Sequence, residues 1–139
     1  MPKLPVSRRL AGPRLVAFSL LALVCSAQSS GNSNLIAGTW RGTSECMTDS
    51  PCHDEVNVYR FSEIGGKPGT FSGVASKIVD GREVVMGTLD WTYDPEHHVL
   101  ESKIERGKFR LVVNGNKIEG TLRLTDNTLY RRIHLERSK

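Results

Sequence analysis

The residues with the most chemical capacity, Cys46, Cys52, His53, Asp54 and Glu55, sit within one short stretch. Two thiols and an imidazole are three of the four ligands a tetrahedral zinc site uses, but no fourth follows at zinc-site spacing. The cysteines flank Met47-Thr48-Asp49-Ser50-Pro51 and suit a disulfide that pins this loop, with Asp54 and Glu55 as its polar end. His97 and His98 are neighbours in a strand-like segment, where successive side chains face opposite ways, so they do not converge on one ion. Serines are plentiful, yet no Gly-x-Ser-x-Gly occurs and no nucleophile stands beside a supporting base. Neither catalysis nor a bound metal or cofactor is expected.

The remaining candidates are aromatic and hydroxyl residues that must be brought together by strands. Turn signals recur at Gly65-Gly66-Lys67-Pro68-Gly69, Asp80-Gly81, Asp94-Pro95-Glu96, Arg106-Gly107, Asn114-Gly115 and Asp126-Asn127, which with the disulfide loop gives seven turns and eight strands. No segment carries a helical period. Short hairpins fix which residues share a face. Around Asn114-Gly115, Leu111 opposes Ile118 and Phe109 opposes Gly120, with Arg110 against Glu119 on the other face. Continued through the neighbouring turns, one interior holds Trp91, Tyr93, Leu100, Ser102, Ile104, Phe109, Leu122 and Ile133. In Thr70 to Val79 a tight Asp80-Gly81 hairpin turns Ser72, Val74 and Ser76 inward, whereas a bulge brings in Phe71 and Ala75. In Glu55 to Ser62, Val56 and Val58 compete with Tyr59 and Phe61. An antiparallel meander with one apolar face exposes two edges unless it closes. The fold expected is all-β, an eight-stranded antiparallel up-and-down barrel.

Gly38-Thr39-Trp40 opens that barrel and resembles the first-strand motif of the lipocalin and fatty-acid-binding superfamily, the calycins. The resemblance implies that an arginine or lysine of the closing strand packs on Trp40 near the barrel floor. Leu129-Tyr130-Arg131-Arg132-Ile133 offers Arg131, which shares a face with Leu129 and Ile133. Trp40 and Arg131 then plug one end of the barrel through a cation–π contact. A lipocalin-like protein of this kind is expected to bind a small apolar or amphipathic molecule between Trp91, Tyr93, Ser72, Ser102 and Phe109, above Arg131, because a few hydroxyls in an apolar wall orient a ligand. The same residues also describe a filled core, with serines bonded to backbone. Gly38 to Gly42 further resembles the start of nitrobindin-type haem barrels, but His134 opposes Glu119 on the outside, away from any haem. Small exported calycin barrels that inhibit secreted metalloproteases are similar in size, single disulfide and polar N-terminal arm. They make a secreted protease the alternative partner.

Lys3, Arg8, Arg9 and Arg14 precede an apolar run from Leu15 to Val24, then Cys25-Ser26-Ala27, the pattern of a secretory signal peptide cleaved after Ala27. The run falls short of the roughly 20 residues a membrane span needs. Val24 stands where a lipid-anchor signal at Cys25 wants a small residue. Four of the 19 basic residues and none of the 15 acidic ones lie in this segment, so the mature chain is balanced and gives no electrostatic case for nucleic acid. The expected organisation is a signal peptide over 1–27, a flexible arm over 28–34 and the barrel over 35–139, in the periplasm or secreted.

Overall fold

The computed structural model describes Gly12 and residues 30–49 and 51–139. The signal segment apart from Gly12, with its cleavage site and Cys25, lies outside the described residues. Eight strands run β1 Gly38–Cys46, β2 Glu55–Glu63, β3 Thr70–Val79, β4 Arg82–Asp94, β5 Val99–Ile104, β6 Gly107–Asn114, β7 Lys117–Leu124 and β8 Leu129–Arg137. Each pairs antiparallel with the next, and β8 pairs with β1 to close the barrel. Within the expected arm, Ser30–Ile36 forms helix α1. Among the described residues no helix is long and apolar enough to cross a membrane.

The interior follows the pleat. β6 alternates buried and exposed residues throughout, with Gly107, Phe109, Leu111 and Val113 inward. In β2 the inward set is Asn57, Tyr59 and Phe61, which settles that strand in favour of its aromatics. Three hairpin registers are displaced by two residues from those the short turns predict: Tyr93 pairs with Leu100 in place of His98, Ser102 with Phe109 in place of Leu111, and Leu111 with Gly120 in place of Ile118. A two-residue slip keeps every side chain on its face, so the interior survives.

At β3 the bulge prevails. Asp80 and Gly81 both take positive φ, 50° and 76°, the geometry of a tight hairpin whose twist matches its strands. The ladder then slips between Ala75↔Gly87 and Ser76↔Val85, leaving Met86 without a partner on β3. Beyond the slip Phe71 pairs with Trp91, so Phe71, Gly73 and Ala75 face in. Ser72, expected to line the interior, stands on the opposite face opposite Asp90.

The floor is built by β1 and α1. Trp40 is fully buried and its Nε1 donates to the Ile36 carbonyl at 2.8 Å. The cation on its ring is Arg137, whose guanidinium carbon lies 4.3 Å from the ring centroid. This corrects the assignment to Arg131. β1 runs from floor to mouth and β8 from mouth to floor, so Trp40 pairs with Arg137 and Cys46 with Arg131. Six residues at about 3.3 Å each put Arg131 roughly 20 Å away, at the mouth.

Candidate binding surfaces

The barrel waist, where the sequence places a ligand, is occupied by the protein's own rings. Trp91 is fully buried, with ring centroids 5.3 Å from Phe109, 5.5 Å from Phe61 and 6.1 Å from Tyr59. Its Nε1 has no hydrogen-bond partner among the described residues. A Cβ on Gly73 would fall 2.6 Å from that nitrogen and 2.7 Å from the Phe61 ring, so Gly73 is the recess that admits the indole. Tyr93 belongs to the same cluster but sits nearer the floor, with its hydroxyl 3.1 Å from His98 Nδ1. Burial raises the Tyr93 pKa, and the nearby Asp94 carboxylate adds to the shift. Asp94 itself is held below the usual carboxylate range, first by its hydrogen bond with His97 at 2.6 Å. The Ser102 hydroxyl is buried and donates to the Asp90 carbonyl at 2.7 Å. Thus Trp91, Tyr93, Phe109 and Ser102 do meet inside the barrel, Ser72 does not join them, and their polar atoms face protein.

The mouth carries a polar cluster whose importance the sequence did not reveal. Cys46 and Cys52 are bridged, with their Cα atoms 5.7 Å apart, and their loop leads into β2. Arg131 donates from Nη1 to the Ser44 carbonyl and hydroxyl at 3.2 Å and to the His53 carbonyl at 3.1 Å, while its Nη2 lies 3.5 Å from Glu55 Oε1. Lys77 Nζ approaches the same carboxylate at 3.8 Å, and buried Asn57 donates to its other oxygen at 3.2 Å. A guanidinium with four acceptors in the protein is a clamp between the disulfide loop and β8, with its fork already engaged. The cluster also bears on Tyr59, whose pKa is pushed up to about 12, mainly by burial and then by the Glu55 charge, with Arg131 opposing. Among the described residues no group of three metal-ligating side chains converges. His134 stands outside, opposite Glu119 and 3.6 Å from its carboxylate.

The outer surface is less complete. β4 is 13 residues long and β5 only 6, and their ladder holds three pairs, Thr92↔Glu101, Tyr93↔Leu100 and Asp94↔Val99. From Arg82 to Trp91, β4 has no ladder partner on its β5 side, and the Ser102–Asp90 bond bridges the parting. Val84, Val85 and Met86 on this edge are 44%, 64% and 47% exposed. Arg60 on β2 pairs with Glu83 and lowers its carboxyl pKa. One groove adjoins the parting, over Asp90, Thr92, Glu101 and Lys108, and another crosses β5, β6 and β7 beside Lys103, Lys108, Arg110 and Arg123.

No protein-family model matches the chain, and no curated protein matches it.

Proposed function

We propose that this chain is an exported, lipocalin-like, non-catalytic barrel that takes a partner protein along the free edge of β4, with its interior acting as a packed core. The observation that carries this is the unpaired edge from Arg82 to Trp91 beside exposed Val84, Val85 and Met86. Unpaired N–H and C=O groups template an added strand, and alternate side chains supply specificity. Several exposed apolar residues beside an unpaired edge mark an interaction site more often than an isolated exposed valine does.

Several features weigh against the alternatives. The packing of Trp91 against Phe61, Tyr59 and Phe109 favours a core role over a ligand wall for these residues. The expected arm is partly taken up in α1, tied beneath Trp40 by Arg137, which favours β4 over residues 28–34 as the interaction element. The Trp40–Arg137 stack supports the lipocalin likeness, since it is the contact that likeness implies.

The test is a photo-crosslinking amino acid placed at Val85, and separately at exposed Val112, in the protein as its own cells export it. A discrete protein adduct from position 85, absent from position 112 and lost on adding Thr88→Pro, is the expected result. Equal adducts from both positions, or none from 85, would overturn the edge assignment. A native mass that exceeds the denatured mass by a retained small molecule would return the ligand to the interior.

A further inference from the structure

The wall on the other side of the parting has a different character from the β4 edge. β6, β7 and β8 are laddered along both sides, so their backbone is satisfied and recognition there falls to outward side chains. Two rows cross the mouth half of this wall. In the first, Lys103 pairs directly with Lys108, and Lys108 with Arg123. In the second, about 7 Å along the strands, Glu101 is followed by Arg110, Thr121 and Arg132, and Glu45 of β1 ends the row. Like charges directly opposed in a sheet destabilise it, so the fold gains nothing from the first row. Glu101 reaches Lys108 at 2.9 Å and Arg110 at 3.8 Å. Lys103, Arg123 and Arg132 have no carboxylate within ion-pair distance among the described residues. Glu105 and Asp126 lie in the turns nearby, but Asp126 accepts from the Thr128 amide at 3.0 Å, and Arg123 donates to the Asn127 carbonyl at 3.0 Å.

Two grooves run over these rows. One, of about 410 Å³, lies beside Lys103, Lys108, Arg110 and Arg123, and the other, of about 500 Å³, beside Glu119, Arg132 and His134. Thr121 lines both, so they meet there and form a track from β5 to β8, roughly 14 Å across three strand spacings. The carboxylate on the track, Glu119, lies 3.6 Å from His134.

A cationic track of this extent suits a chain of anions better than a single one, and three kinds of polyanion would meet it differently. Single-stranded nucleic acid stacks its bases on aromatic side chains, and neither groove is lined by one. An extended acidic peptide adds main-chain pairing only at a free edge, which β6, β7 and β8 lack. An acidic polysaccharide needs neither feature. Its charged groups project from successive sugars toward lysine and arginine, and its hydroxyls can bond to the Thr121 and Thr125 hydroxyls that line the first groove.

We propose that this wall binds a linear acidic polysaccharide, with anionic groups of successive sugars against Lys103, Lys108 and Arg123 and the chain continuing past Thr121 to Arg132. The bound anions relieve the repulsion in the first row.

The experiment uses the protein with its disulfide intact and four probes, a heparin octasaccharide, maltooctaose, octaglutamate and octathymidylate, followed by amide chemical shifts. The heparin probe is expected to move the amides of Lys103, Lys108, Arg110, Thr121, Arg123 and Arg132. It should bind at least about tenfold more tightly than any other probe and weaken steeply with added salt. Lys103→Gln with Arg132→Gln should lower its affinity about tenfold or more, while Lys117→Gln, at the floor end of β7, leaves it unchanged. Both altered side chains are exposed and make no hydrogen bond or ion pair among the described residues. The double variant should therefore unfold at the parent's urea midpoint, which separates lost binding from lost structure. Octaglutamate or octathymidylate bound as tightly as heparin would overturn the polysaccharide. Shifts mapping elsewhere, no shifts at all, binding indifferent to salt, or Arg132→Gln alone without effect would overturn the track.

Discussion

Replacing Arg137 by alanine tests which cation closes the barrel floor. Its guanidinium covers the Trp40 ring at 4.3 Å and donates to the Asn34, Leu35 and Ala37 carbonyls, so it joins β8, β1 and the end of α1. A partly exposed cation over an indole contributes about 0.5 to 1 kcal/mol. Hydrogen bonds from a charged donor contribute about 1.5 kcal/mol or more each, but water replaces part of this once the side chain is gone. Together they put the loss for Arg137→Ala at about 2 to 3 kcal/mol, or roughly 10 °C in melting midpoint for a chain of this size. Arg137→Lys keeps the charge without the planar fork and should recover about half. The assay is urea unfolding by circular dichroism, with acrylamide quenching in a Trp91→Phe background so that Trp40 alone reports. The reasoning is refuted if Arg137→Ala stays within about 0.5 kcal/mol of the parent while Arg131→Ala exposes Trp40 to the quencher.

Two further predictions rest on single positions. A Cβ on Gly42 would lie 1.8 Å from the His134 carbonyl oxygen, so Gly42→Ala should destabilise the β1–β8 closure by about 3 kcal/mol or more in urea unfolding, whereas Gly87→Ala, with nothing within 4 Å, should be neutral or slightly stabilising. The folded pKa of Tyr59, about 12, lies above its ordinary 10.0, so the unfolded chain releases that proton first. Its contribution is therefore complete below pH 10 and is lost as pH rises through 12, by about 2 to 3 kcal/mol. Tyr59→Phe should flatten that alkaline slope, and an unchanged slope in stability against pH would sink the assignment.

The barrel was legible because period-2 patterning and short hairpins carry the information about faces. Phe109, Leu111 and Val113 alternate with Lys108, Arg110 and Val112, and that alternation holds under any even slip. Cross-strand partners are more fragile. With Arg110 set against Glu119 the outer charges look alternating, but in the structure Arg110 faces Thr121 and Lys108 faces Arg123. A shift too small to change the core thus creates the cationic row, and turn composition alone does not resolve it. Arg137 was hidden for a different reason. Its pairing with Trp40 belongs to the β8–β1 closure, which no hairpin fixes, although counting inward from Ile133 through Leu135 reaches it. Arg131 satisfied the facing rule but stood at the wrong end of its strand. Glu55 and Asn57 gave no signal, since a loop-end carboxylate becomes a structural partner only when Arg131 and Lys77 converge on it from β8 and β3.

One residue links the filled interior to the exposed edge. Without a bulge, the Asp80-Gly81 hairpin would set Ser72 against Leu89 and turn the small face of β3 inward, leaving the waist loosely packed. With Met86 unpaired, the ladder advances by one residue, Phe71 comes opposite Trp91, and the aromatic cluster closes. The same extra residue falls in the part of β4 that has left β5, and it lies beside Val84 and Val85 at the exposed edge. Bulges commonly protect an edge by twisting it, yet here the surrounding residues are apolar and not the lysines or prolines that discourage strand addition. The insertion that supplies Phe71 to the core therefore also falls within the apolar, unpaired edge of the wall. A barrel packed in this way carries the free β4 edge and the exposed Val84, Val85 and Met86 on its outside.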